Sequence, residues 1–228
     1  MTLHPTLTGA GREARRSRRD RRRMVREQLL GRDITDRRVL AAMAAVPREA
    51  FVAPHLQNRA YEDRPLPAGS GQTISQPYMV ALMTQEAGLT RRARVLEVGT
   101  GTGYHTAVLA LIAARVWTCE RLPDLARDAR ARLERLGIHH VEFVVGDGAA
   151  GYAAAAPYGA IIVAAAAPAP PPRLLNQLDL GGRLVIPVGD LALQDLLIYQ
   201  RTPTGFRESS AGACRFVPLV SPAAFPDT

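Results

Sequence analysis

From residue 93 onward the chain alternates short apolar runs with longer stretches in which apolar positions recur every three or four residues. ARVLEVG (93–99), RVWTCE (115–120), VEFVVGD (141–147), YGAIIVAAA (158–166) and RLVIPVG (183–189) are short and largely apolar, the pattern of strands buried on both faces. TAVLALIAA (106–114), LPDLARDARARLERLG (122–137) and PPRLLNQLDLGG (171–182), the last closed by glycine, carry the helical period. Strand and helix in such strict succession predict βαβ units, hence an α/β fold with a doubly wound, mainly parallel sheet. LQDLLIYQRT (193–202) and GACRFVPLV (212–220) predict further strands, antiparallel at the sheet edge.

Upstream, Met24 to Ala45 has helical spacing interrupted at Gly31 and restarted by Thr35 and Asp36 as caps, which predicts two short helices. The segment AYEDRPLPAGSGQTISQPY (60–78) is too rich in Pro, Gly and Ser for a regular element and predicts a long ordered loop, followed by a helix from Met79 to Leu89. The first 23 residues carry no apolar periodicity. The expected organisation is a flexible arginine-rich arm (1–23), an N-terminal helical cap with its loop (24–90) and an α/β core with C-terminal edge strands (91–228), in one structural domain.

The formal charge of +8 raises the question of a nucleic-acid partner, but most of it sits between Arg12 and Arg26. All 29 basic residues are arginine, which beside abundant Ala, Gly and Pro points to codon bias, so the charge distribution argues for a solvated tail and against nucleic acid. No apolar run approaches the ~20 residues of a membrane span, and no secretory signal opens the chain. Cys119 and Cys214 lie far apart without neighbours at metal-ligand spacing, so neither a disulfide nor a metal site is expected. These features predict a soluble cytoplasmic protein without a membrane partner, and a monomer.

Candidate chemistry begins at Glu97-Val98-Gly99-Thr100-Gly101-Thr102-Gly103, a strand running into a glycine-rich turn and a helix. Such a turn lets backbone approach a nucleotide-like ligand closely. A dinucleotide fingerprint would require glycine where Tyr104 stands, whereas GxGxG after an acidic residue resembles the first motif of S-adenosylmethionine methyltransferases. Two more strand ends carry acids: Glu120, suited to accept ribose hydroxyls, and Asp147, suited to accept from an adenine amino group with Gly148 leaving room for the ring. His105 belongs at the edge of such a site, His139 and His140 on the surface, and Trp117 in the core.

GQTISQPY (71–78), just upstream of the cofactor strand, makes the resemblance specific: the chain resembles protein-L-isoaspartate O-methyltransferases. VPREAFV, AYEDRPLP, VLEVGTGTGY, GDG, AIIV, QLDLGGRLVIPVG and RFVPLV agree, so the match covers residues 24–220. The resemblance implies S-adenosyl-L-methionine as cofactor and isoaspartyl proteins and peptides as partners, with repair proceeding through a succinimide. It also implies Ser75 and Thr73 as active-site residues. Gln72, Ile74, Glu97, Gly99, Thr100, Gly101, Thr102, Gly103, Glu120, Asp147 and Gly148 would hold the cofactor. Gly159 and Ala164 depart from the family, standing where Asp and Thr are usual, and Ala149–Tyr152 replaces a tryptophan-bearing stretch. Ser75 could alternatively cap the helix beginning near Pro77. Two other functions remain open on sequence: esterification of one specific Asp in a partner peptide during its maturation, or nucleic-acid binding through the arginine arm.

Overall fold

A computed structural model describes residues 8–69 and 71–226, with side chains from Arg15 onward. Thr8–Met24 forms helix α1, which continues through a wider π-helical stretch, Val25–Leu30, to Gly31. Residues 8–23 of the expected arm are thus helical, while residues 1–7 lie outside those described. Arginine and alanine are good helix formers, and α1 lacks the apolar face that periodicity detects. The Asp36 carboxylate accepts from Arg38 N at 2.8 Å and starts α2 (Arg37–Ala45) as its cap.

Two 3₁₀ turns, Arg48–Phe51 and Pro54–Arg59, lead to the segment expected to be irregular. It contains a small antiparallel hairpin instead, β1 (Leu66–Gly69) and β2 (Gln72–Ile74). Strands of three and four residues are too short for an alternating pattern to register. Gly69 and Gly71 flank the turn with φ of +86° and +69°, values that glycine adopts without strain. Helix α3 (Pro77–Glu86) follows. Beneath this cap Arg48 is fully buried; its Nε donates to the Ala60 carbonyl at 2.7 Å and its guanidinium lies over the Tyr104 ring at 4.9 Å.

The core then unfolds as β3 (Arg94–Val98), α4 (Tyr104–Ala110), β4 (Arg115–Glu120), α5 (Pro123–Arg135), β5 (Val141–Val145), β6 (Tyr158–Val163), α6 (Pro172–Asn176), β7 (Leu178–Gly189), β8 (Gln194–Thr202) and β9 (Gly205–Cys214). The sheet order is β5-β4-β3-β6-β7-β8-β9; β5 through β7 pair in parallel and β8 and β9 extend the sheet antiparallel. The doubly wound sheet and its antiparallel edge match expectation. Val95, Ala160, Ile162 and Val185 pack toward the cap and α4, and Leu96, Ile161, Leu184 and Ile186 pack on the other face with α6. Both faces being apolar, the strands read as continuous runs.

Two elements differ from expectation. Helix α6 stops at Asn176, and LDLGG joins β7, where Leu178 pairs with Tyr158 and the register shifts before Arg183 meets Ala160. The paired glycines supply that irregularity and not a helix end: a Cβ at Gly182 would stand 2.8 Å from the Tyr158 carbonyl oxygen. Likewise β9 ends at Cys214, and RFVPLV leaves the sheet to cross its C-terminal end.

Between β3 and α4, Gly103 has φ +88° and would place a Cβ 2.8 Å from Leu133 Cδ1 and 3.2 Å from Ala129 Cβ on α5. Replacing it with alanine combines backbone strain with overpacking, so Gly103→Ala should destabilise the fold by roughly 2–3 kcal/mol. Urea unfolding should show a lower midpoint at unchanged slope.

Candidate active site

Strand order reverses direction at β3, whose successor β4 lies on one side and β6 on the other. Such a switch point opens a crevice at the carboxyl ends of the strands, and here a cleft of about 740 Å³ occupies it. Its walls come from the turn after β3, the end of β4, the loop between β2 and α3, and the segment that follows β9.

The glycine turn forms one wall. Gly99 and Gly101 take φ of +91° and +52°. A Cβ at Gly101 would meet nothing within 4 Å, so the chain presents bare backbone to open space, while one at Gly99 would lie 3.5 Å from Ala164 Cβ. The Glu120 carboxylate holds the turn from the end of β4: Oε2 accepts from Gly101 N at 3.0 Å and Oε1 from Leu122 N at 3.1 Å. Each oxygen retains a second acceptor direction.

Behind the turn lies Glu97, fully buried. Its Oε2 accepts from Thr106 Oγ1 at 2.5 Å and from Thr118 Oγ1 at 2.6 Å. Thr118 has thus spent its only proton, so Thr100 donates to Thr118 across 2.6 Å. A three-member chain runs from the cavity wall at Thr100 to the buried carboxyl, whose Oε1 has no partner among the described residues. Burial pushes the Glu97 carboxyl up to about 7, against the opposing hydrogen bonds from Thr106 and Thr118.

The opposite wall carries Ser75, half-buried just after β2. The N-cap position of α3 belongs to Gln76, with Pro77 at the first helical position, so Ser75 does not cap the helix. Among the described residues no side chain or backbone group bonds its hydroxyl. The loop that carries it is fastened from outside: Tyr78 N donates to Asp63 Oδ1 at 3.0 Å, Tyr78 Oη to Asp33 Oδ2 at 3.0 Å, and Arg32 pairs with Asp63 at 3.1 Å while its guanidinium lies over the Tyr78 ring at 3.3 Å.

The remaining wall is the segment after β9. Ala166 N donates to Val217 O at 2.8 Å and Leu219 N to Ala166 O at 2.7 Å, which straps residues 217–219 to the loop leaving β6. Ser221 Oγ then donates to Asp147 Oδ2 at 2.8 Å. His105 also faces the cleft yet is buried; Thr84 Oγ1 gives its proton to the Val80 carbonyl, so His105 Nε2, 2.9 Å away, donates to Thr84 and the ring is the neutral Nε2–H tautomer. Burial lowers the His105 pKa to about 4 and raises both cavity thiols, Cys119 and Cys214, to about 11.

Gln72, Thr73, Ile74, Ser75, Gly99, Thr100, Gly101, Thr102, Glu120 and Gly148 all line this one cleft. Glu97, Gly103 and Asp147 do not: Glu97 lies beneath the turn, Gly103 faces α5, and Asp147 stands beyond the wall, with Oδ1 accepting from Ala149 N at 2.9 Å. Gly148 is required for packing as well as room, since a Cβ there would collide with Val98 Cγ1. Arg32, Tyr78, Leu191 and Phe216–Val220 line the cleft without having been singled out individually. Tyr78 carried a signal as the last residue of GQTISQPY, and Phe216–Val220 as part of the shared stretch RFVPLV. No group of His, Cys, Asp or Glu suited to a metal occurs among the described residues, and no helix there is long and apolar enough to cross a membrane.

The model of the family described as protein-L-isoaspartate(D-aspartate) O-methyltransferase matches residues 19–224. A protein-L-isoaspartate O-methyltransferase of Methanoculleus marisnigri is 51% identical over 91% of this chain and 94% of its own length. One from Picosynechococcus is 52% identical over 87% and 89%. A solved protein-L-isoaspartate O-methyltransferase superposes with a TM-score of 0.79 at 28% identity, covering 91% of this chain and 67% of that one. A putative enzyme of that name from Plasmodium falciparum, in complex with S-adenosyl-L-homocysteine, superposes at 0.76 with 25% identity, covering 88% and 98%.

Glu97 and His105 titrate with opposite consequences. Glu97, raised from 4.5 to about 7, adds stability below pH 4.5 that is lost as pH rises through 7. His105, lowered from 6.5 to about 4, adds stability above pH 6.5 that is lost as pH falls through 4. Each is worth ~3 kcal/mol at full extent, and between pH 4.5 and 6.5 they offset. Denaturant unfolding across this range should show Glu97→Gln losing stability as pH falls and His105→Gln gaining it; slopes of the same sign in both would refute the assignment.

Proposed function

The chain belongs to the protein-L-isoaspartate(D-aspartate) O-methyltransferase family, and we infer that it esterifies the free carboxylate of L-isoaspartyl residues in damaged proteins and peptides. S-adenosylmethionine is the methyl donor, and when bound it supplies a methyl group made electrophilic by its sulfonium. The ester then collapses to a succinimide, which hydrolyses in part to normal aspartate, so methylation initiates repair. The observation that carries this reading is the unclaimed Ser75 hydroxyl, facing the same cleft as the bare glycine turn and the Glu120 carboxylate.

The residues present fit this donor. Glu120 offers acceptors for ribose hydroxyls beside the amides it already holds, and the open space at Gly101 admits a ligand against backbone. We assign Gly99, Thr100, Gly101, Thr102 and Gly148 to direct contact with it, with Gln72 and Ile74 closing over it from the loop. Asp147, which stands behind the wall with Ser221 on one oxygen and Ala149 N on the other, would accept from an adenine amino group only where Gly148 leaves the rim open. Glu97 and Gly103 act from behind as positioning residues.

A substrate carboxylate, with a pKa near 4, is already ionised at pH 7 and needs no general base. The chain's task is orientation at roughly 3 Å and exclusion of water. Ser75 donates a neutral hydrogen bond that orients the nucleophilic oxygen without neutralising it, and Thr73 helps seat the peptide. Burial keeps both cleft thiols protonated, so neither presents a thiolate that would compete for the methyl group. Cytoplasmic residence and a monomeric state complete the reading.

Methyl transfer to an isoaspartyl peptide should exceed transfer to its normal aspartyl twin by at least about 100-fold, and Ser75→Ala should lower kcat/KM by roughly 100-fold. Equal labelling of both peptides, or none, would sink the isoaspartyl assignment. Glu120→Ala should weaken cofactor binding about 10- to 100-fold by calorimetry while leaving the far-UV spectrum intact.

A further inference from the structure

Nothing in the methyl-transfer chemistry uses α1. Eight of its 17 residues are arginine; one edge, Ser17, Asp20, Arg21 and Met24, is withdrawn from solvent, which leaves Arg15, Arg16, Arg18, Arg19, Arg22 and Arg23 exposed. Arg15, Arg19, Arg22 and Arg26 fall on one side, and the pairs Arg15–Arg19, Arg18–Arg22, Arg19–Arg23 and Arg22–Arg26 set like charges four residues apart, which opposes helix formation. Asp20 alone answers three of them, Arg16 at 3.6 Å, Arg19 at 3.9 Å and Arg23 at 3.4 Å. Arg26 pairs with Glu27 at 2.6 Å, and Arg22 has no acidic partner among the described residues. Arg19, Arg22, Arg23 and Arg26 together wall a hollow of about 490 Å³. A helix without an apolar face, carrying repelling neighbours, draws stability from a partner of opposite charge.

We propose that α1 is a docking element for the phosphate backbone of duplex DNA. At a rise of 1.5 Å per residue, Arg15, Arg19, Arg22 and Arg26 line about 16 Å of one side, long enough to face several phosphates of a duplex that carries one per ~3.4 Å of axis on each strand. An α-helix, ~10–12 Å across with its side chains, fits a major groove ~12 Å wide, whereas the major groove of duplex RNA is too narrow to admit it. Guanidinium groups also match phosphate oxygens two by two. Because the contacts are to backbone, binding is indifferent to sequence.

The test uses the full chain, a labelled 20-base-pair duplex of mixed sequence, and polyglutamate as a second polyanion, followed by anisotropy across a salt series. Four phosphate contacts predict a log–log salt slope of about −3.6, hence a loss of about 100-fold in affinity between 50 and 200 mM salt. The combined variant Arg19→Gln, Arg22→Gln, Arg23→Gln, Arg26→Gln should bind at least 30-fold more weakly while methylating a short neutral isoaspartyl peptide at the wild-type rate. DNA should also raise far-UV helicity in the wild type and not in the variant. Polyglutamate binding as tightly as DNA would make the surface a dock for acidic proteins and overturn the proposal. Unchanged DNA binding by the variant, or a slope shallower than −1, would overturn it too.

Discussion

A single carboxyl group, buried at the heart of the sheet, governs how the site is built. Glu97 belongs to β3, receives Thr106 from α4 and Thr118 from β4, and through Thr118 reaches Thr100 in the glycine turn. A buried acid of this kind is costly unless hydrogen bonds offset its burial, and here the two it receives come from α4 and β4, with the glycine turn joined to the second through Thr100. The turn is therefore stiff although three of its residues are glycine. Bare backbone is offered to the ligand, but its position is set from beneath.

The rest of the cleft is assembled from parts distant in sequence. The N-terminal cap supplies Ser75 on a loop held by Asp63, Arg32 and Tyr78, and the cap rests on α4 through Tyr104, which packs edge-on against Phe51 and lies beneath the Arg48 guanidinium. From the other end of the chain, Gln194 ties the antiparallel edge to the cleft: its amide donates to the Asp190 carbonyl at 2.5 Å and its oxygen accepts from Phe216 N at 2.8 Å. The edge strands thus aim the final segment across the carboxyl ends of β3 and β6.

What could be read in the sequence follows from how local each constraint is. The parallel core was legible because burial on both faces leaves dense apolar runs, and the cofactor wall because glycines and strand-end acids sit within a few residues of one another. The hairpin β1–β2 left no trace, three residues being too few for a period. Helix α1 escaped because periodicity senses apolar residues, and the edge it turns inward is Ser17, Asp20 and Arg21 until Met24 reaches the core. Glu97 and Gly103 fall in the motif yet serve it from behind, a distinction that spacing cannot make, since the side of a strand or turn that meets the ligand is decided by neighbours such as Thr118 and Leu133. Tyr78 and Arg32 became wall residues only through a stacking contact between segments far apart in the chain.

The strap formed by residues 217–221 makes one wall of the cleft depend on a long-range closure of the chain. It is held by Ala166 and Asp147, some fifty to seventy positions earlier in the sequence. The glycine turn is fixed by Glu120 and Thr118, and Ser75 by the loop of the cap, none of which the strap touches. Loosening it would therefore let water into the crevice while the reacting groups kept their places, so dryness and alignment are properties this site holds by separate means.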